Sequence, residues 1–140
     1  MTVRATTHLN FRGEARAALE FYQSVFGGEL TVFTYQDFGA VEVPEEAGNV
    51  IWGQVAVANG FRVMAFDVPG SKEWNPGVNP FYLSLRGTES GEIAAQWEKL
   101  SEDAEVLQPL GPAPWAPVYG MLKDRFGVTW VVDVEVPYGE

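Results

Sequence analysis

Leu9-Asn10-Phe11-Arg12-Gly13 returns later in the chain as Leu83-Ser84-Leu85-Arg86-Gly87, and each copy leads into a helix-forming stretch that carries an aromatic, Tyr22 in the first and Trp97 in the second. Self-similarity at about half the chain length marks two copies of one supersecondary unit, stacked so that each buries what it cannot bury alone. Within the first copy, residues 6–11 alternate in polarity with the period of a half-buried strand. Leu9 and Phe11 face one way, and Thr6, His8 and Asn10 the other.

Outward from this strand, Gly13 turns the chain, and Ala15, Ala18, Leu19, Tyr22, Val25 and Phe26 fall at helical spacing before a Gly27-Gly28 stop. Residues 30–35 are β-branched and aromatic, which predicts a strand, and residues 36–49 mix Pro, Gly and acids like a long surface loop. Residues 50–58 and 61–67 predict a hairpin about Asn59-Gly60, a dipeptide suited to a type I′ turn. The first half therefore reads βαβββ.

Residues 68–77 have linker chemistry, with Pro69, Gly70, Pro76 and Gly77. A second βαβββ follows. Residues 81–85 predict its first strand, Thr88 the N-cap of a helix buried through Ile93, Ala94, Trp97 and Leu100, and residues 105–110 the next strand. After a Pro-rich stretch, 109–117, residues 118–123 and 128–134 predict a hairpin around Asp124-Arg125-Phe126-Gly127. The fold class expected is α+β, two βαβββ modules (1–69 and 78–140, joined at about 70–77) in a single domain of residues 1–140.

Composition narrows function. A formal charge of −10, from 19 acids and 9 bases, opposes a phosphate backbone and excludes nucleic acid as the expected partner. No apolar run approaches the ~20 residues of a membrane span, and no secretory leader opens at Met1, so no membrane partner is expected. With no cysteine, disulfides, thiolate metal sites and cysteine nucleophiles drop out. A soluble, cytoplasmic chain is the expectation. No G-x-G-x-x-G follows a strand, and no elbow surrounds a serine, which removes nucleotide-type methyltransfer and serine hydrolysis.

The segments Leu9-Asn10-Phe11, Ala17-Ala18-Leu19-Glu20-Phe21-Tyr22 and Val25-Phe26-Gly27-Gly28-Glu29-Leu30, with Trp115-Ala116-Pro117-Val118-Tyr119-Gly120 and Asp124-Arg125-Phe126-Gly127-Val128-Thr129-Trp130, resemble the PhnB-like branch of the vicinal oxygen chelate superfamily of glyoxalases, bleomycin-resistance proteins and dioxygenases. The resemblance implies sheets curved into an open cup between the modules, homodimers, and, in the enzymes, a divalent metal held by His and Glu on inward strand faces. Matching of motifs puts the expected ligand positions on Thr6, Pro80 and Val131, and the branch's own His position on Gly53, beside Gln54. None of these residues is such a ligand. No metal or cofactor is therefore predicted, although a divalent metal in an unorthodox ligand set stays open.

His8 is the chain's one histidine. By the alignment of the repeat, Tyr82 matches His8 and Ser84 matches Asn10, which gives the cup a quasi-symmetric polar floor. Four polar groups among apolar walls suit a small-molecule site. The expected ligand-binding set is Thr6, His8, Asn10, Gln54, Tyr82, Ser84, Trp74, Trp115 and Tyr119, the two loop tryptophans covering an opening. Trp52 is a further wall candidate and Trp130 a core residue. His8 and Asp133 are the catalytic candidates, as an Asp-His acid–base pair. Glu42, Glu45 and Glu46 read as a solvated acidic loop. The leading reading is metal-independent binding of a small, partly apolar organic molecule. A lyase, isomerase or dioxygenase-type enzyme, or a degenerate dimerisation module, are the alternatives.

Overall fold

The computed structural model describes residues 3–58 and 60–136. The chain forms two compact units that divide between Pro76 and Gly77. In unit one, β1 (Thr7–Phe11), α1 (Ala15–Phe26), β2 (Glu29–Thr34), β3 (Val50–Ala56) and β4 (Arg62–Asp67) make a four-stranded sheet of order β1-β4-β3-β2. Unit two repeats this with β5 (Leu83–Gly87), α2 (Ser90–Leu100), β6 (Glu105–Ala113), β7 (Ala116–Lys123) and β8 (Thr129–Val134), ordered β5-β8-β7-β6. In each sheet the first strand runs parallel to the last and the remaining pairs are antiparallel, so both sheets are mixed. The expected pair of βαβββ modules is present.

Strand periodicity decides which face each helix covers. Leu9, Phe11, Val55, Val63 and Ala65 are buried, as are Ala15, Ala18, Leu19, Tyr22 and Val25 on α1, so the apolar parity of the sheet packs on the helix. A Cβ on Gly53 would collide with Leu19 Cδ1, and one on Gly120 would lie 2.9 Å from the Trp97 ring, so both glycines are sites where a helix side chain rests on bare backbone. Trp130 is buried in unit two's core, as its alternation implies, and its indole N–H donates to Asp124 Oδ2 at 2.9 Å.

The helix α1 has no capping side chain of its own at Glu14. Its first amide is taken instead by a residue distant in sequence. Asp67, buried at the end of β4, accepts from Gly13 N and Ala15 N at Oδ1 and from Val50 N at Oδ2, at 2.7 to 3.0 Å. One carboxylate thereby ties the starts of α1 and β3 to the end of β4, and its charge favours the helix N-terminus.

Both long hairpins turn in one way. Val57 N bonds Phe61 O and Gly60 N bonds Val57 O in unit one, while Asp124 N bonds Val128 O and Gly127 N bonds Asp124 O in unit two. Gly60 and Gly127 have φ of +105° and +86°. This is a β-turn closed by a positive-φ glycine, the three-residue hairpin loop, and it replaces the expected two-residue type I′ turn; Asn59 itself lies outside the described residues.

The matched turns make Gly53 equivalent to Gly120 and Ala65 to Val132, pairs that also face each other across β3–β4 and β7–β8. Carried onto the parallel ladders, His8 pairs with Met64 as Ser84 pairs with Val131, and Asn10 with Phe66 as Arg86 with Asp133. The repeat is thus two positions out from the sequence alignment: His8 corresponds to Ser84, Asn10 to Arg86, and Thr6, not His8, to Tyr82. The slip occurs because Arg-Gly follows the strand in the first copy but belongs to the strand in the second. An even slip preserves every facing assignment.

Other boundaries also move. Phe81 and Tyr82 precede β5 instead of forming it. The N-cap of α2 is Glu89, not Thr88, and makes no side-chain cap bond. Ala94 is exposed, while Ile93 and Leu100 carry the buried stripe of α2. Most of the Pro-rich stretch is strand, because β6 is an edge where the missing amides of Pro109 and Pro112 are tolerated.

Candidate functional site: the open sheet faces

The parity opposite the helix defines an open face in each unit. In unit one it is built of two rows across the four strands. The first is His8, Met64, Gln54 and Thr31; the second, one step along the strands, joins the pairs Asn10–Phe66 and Trp52–Phe33, which continuation of the β3–β4 register past Gly53–Ala65 brings into line. The first row is mainly polar and the second mainly aromatic. Phe33 sits 6.0 Å from Trp52 and 5.3 Å from Phe38 between ring centroids, and His8 meets Phe66 edge-on at 5.2 Å. His8 and Asn10 are exposed, with His8 Nδ1 3.1 Å from Asn10 Oδ1. Gln54 accepts a long bond from Arg62 at 3.4 Å.

The expected site residues of this unit lie at several positions relative to these rows. His8, Asn10 and Gln54 lie on the open face, and Thr6 stands just before β1. Gln54, not Gly53, is the residue whose side chain emerges there, since Gly53 faces Leu19. Trp74 does not lie loose in its loop. Its indole donates to Asn10 O at 3.1 Å, and Arg12 lies over its ring at 5.8 Å while bonding the carbonyls of Pro69 and Lys72. The loop is strapped to the end of β1, directly beside Asn10. Glu46 accepts from Gly70 N and the exposed Glu42 from Ser71 Oγ, so one of these acids bonds the loop backbone and the other a loop hydroxyl.

Unit two presents a different chemistry at matching positions. Its rows are Ser84, Val131, Met121 and Gln108, then Arg86, Asp133, Tyr119 and Gly111. Where unit one has Asn10, Phe66 and Trp52, unit two has Arg86, Asp133 and Tyr119. The Asp133 side chain is 12% exposed and is held by Arg86 Nε at 3.0 Å, with Glu135 at 3.5 Å from the same guanidinium. Trp115 meets Tyr119 edge-on at 5.1 Å but is itself well exposed, and Tyr82 is exposed ahead of β5. Phe33 and Phe66 are the members that sequence reasoning missed, while Trp52 was a wall candidate outside the expected ligand set; strand parity with Gln54 and His8 was the signal that could have found them.

The superfamily's metal site does not fit these residues. Thr6, Pro80 and Val131 offer no imidazole or carboxylate, and Tyr82, which the ladders match to Thr6, supplies only a phenol. Among the described residues no three His, Cys, Asp or Glu side chains converge. No described helix is long and apolar enough to cross a membrane.

Fold and open faces together define a paired βαβββ protein. The chain belongs to the Glyoxalase/Bleomycin resistance protein/Dioxygenase superfamily, whose family model matches residues 7–132. Among solved structures it is similar to protein PA1353 from Pseudomonas aeruginosa, at 30% identity over 96% of this chain and 98% of that one, with a TM-score of 0.81. It is also similar to a PhnB protein from Bacillus cereus, at 27% identity over 95% and 100% of the two chains and a TM-score of 0.70. A glyoxylase/bleomycin resistance protein/dioxygenase domain from Frankia shares the fold, with 12% identity over 97% and 99% and a TM-score of 0.64. The chain matches no curated protein significantly.

Proposed function

We propose that this protein binds a small, partly apolar organic molecule on the open face of unit one, without a metal. The observation that carries this reading is the pair of rows. Aromatic surface from Phe66, Trp52 and Phe33 lies alongside hydrogen-bonding groups from His8, Gln54 and Thr31, which is the mixture a ligand needs for contact area and for orientation. The chain works as a cytoplasmic homodimer in this proposal, and its lack of cysteine fits a reducing compartment. The acid–base alternative has less support, because the Asp133 carboxylate is committed to Arg86 and one nitrogen of His8 to Asn10.

Titration of uniformly ¹⁵N-labelled protein with a panel of neutral aromatic fragments, in chelator, tests the proposal. Saturable shifts centred on His8, Gln54, Thr31 and the Trp52 indole are expected, and Trp52→Ala should weaken them about tenfold, the scale of one lost aromatic contact. Absence of saturable binding, or binding only after added manganese, iron, nickel or zinc, overturns it. Light scattering on the same sample reports the oligomeric state.

A further inference from the structure

We infer that His8 is a hydrogen-bond acceptor of fixed tautomer and that the ligand of the open face is a neutral, planar aromatic molecule bearing a hydroxyl group. The inference rests on the binding role proposed for that face. Asn10 Oδ1 is a carbonyl oxygen and only accepts, so His8 Nδ1, 3.1 Å away, is the nitrogen that carries the proton. In that tautomer Nε2 presents a bare lone pair. His8 is exposed, and Phe66 meets its ring edge-on, which limits the directions the ring can take. A lone pair in this setting is completed by an O–H donor.

The rows fix the rest of the ligand. None of their eight side chains is an acid or a permanent cation, and the adjoining row carries one of each, Glu29 and Arg62, the latter bonded to Gln54, so the face has no net charge to balance a charged ligand. Successive open-face positions on a strand stand about 7 Å apart. A fused two-ring skeleton lying on Phe66 and Trp52 therefore brings a hydroxyl on its rim to His8 in the neighbouring row. Trp74 supports the arrangement by holding the backbone of Asn10, the residue that sets the tautomer.

The test compares 2-naphthol with 2-methoxynaphthalene, which keeps the rings and removes the donor. Wild-type protein should prefer the naphthol by about 3- to 10-fold, the scale of one net hydrogen bond. His8→Phe keeps a ring, loses the acceptor, and should bring the two ligands within about twofold. Because His8 is the only histidine, a long-range ¹H–¹⁵N spectrum reads its tautomer without assignment. That spectrum should report Nδ1–H in the wild type and a shift toward Nε2–H in Asn10→Leu, and it needs no substitution at His8 should His8→Phe fail to fold. Equal binding of the two ligands, a preference that survives His8→Phe, or an Nε2–H wild type overturns the inference and leaves the open-face reading standing. Binding of neither ligand in the fragment-competent protein also overturns it, whereas failure of every aromatic fragment overturns both.

Discussion

Asp67 and Val134 hold the same ladder position in their respective units, a buried carboxylate in one and a buried valine in the other. The difference marks what each unit asks of its last strand. Unit one must anchor two chain starts, at Ala15 and Val50, and a carboxylate with three N–H donors does so. Asp67→Asn keeps the shape but turns an N–H₂ toward either Val50 N or the Gly13 and Ala15 amides. The loss expected is about 2–4 kcal/mol, the scale of a buried donor left without its charged acceptor. Urea unfolding checks this, and a loss below about 1 kcal/mol would remove Asp67 from the role of anchor.

Gly53 and Leu19 make a second testable contact. A methyl group on Gly53 meets Leu19 Cδ1, with Ala65 O and Val50 Cγ1 each 3.2 Å away. Gly53→Ala should therefore cost about 1–3 kcal/mol, and Leu19→Val in the same protein should recover part of it. A double-mutant cycle by thermal or urea unfolding measures the recovery. Strict additivity would show that the backbone of β3, not the helix side chain, resists the methyl.

The periodic parts of the molecule were legible in the sequence because geometry enforces them. Alternation placed His8 and Asn10 opposite Leu9 and Phe11, and spacing put Ala15 through Val25 on one helix stripe. Local strings were less dependable. Arg12-Gly13 and Arg86-Gly87 look alike, yet one pair follows its strand and the other sits within it, so the repeat was aligned two positions out while all faces came through unchanged. The role of Asp67 was hidden for another reason. Its donors come from distant segments, and beside Val68-Pro69 it reads as an ordinary turn residue. Trp52 was legible as a wall candidate, but Phe33 and Phe66 were not, because the three rings belong to three strands and only the strand register relates them.

Arg86 and Asp133 occupy the positions of Asn10 and Phe66, and their ion pair is the feature that most distinguishes the open face of unit two. The guanidinium is about a third exposed, so solvent weakens the attraction. A cycle of Arg86→Met and Asp133→Ala should return a coupling of about 1 kcal/mol, reduced in 1 M salt. Arg86→Met alone should cost more stability than Asp133→Ala, because it strands the more buried Asp133 carboxylate, whereas Arg86 without Asp133 keeps Glu135 and solvent. Zero coupling at low salt would mean that the two are neighbours without being a pair, and would free Asp133 for the acid–base role that Arg86 now obstructs.

Tyr35 supplies the pH-dependent case. Its hydroxyl donates to Asp67 O at 2.6 Å, and burial, followed by the negative charges of Asp67, Glu46 and Glu42, raises the phenol above its ordinary value. A folded value higher than the unfolded one means that the folded state holds the proton more tightly. The associated stability is therefore complete below the unfolded value of about 10 and is lost as pH rises through the folded value. Tyr35→Phe removes both the hydrogen bond and the titration. At pH 7 the variant should be about 1 kcal/mol less stable than wild type. Above pH 10 the gap should narrow, since only in the wild type does ionisation of this phenol stabilise the unfolded chain ahead of the folded one. Urea midpoints of both proteins from pH 7 to pH 11 measure the gap directly, with the remaining tyrosines and lysines common to the two curves. A constant gap across that range would show that Tyr35 titrates alike in the folded and unfolded chains, and that its hydroxyl serves only as a donor to Asp67.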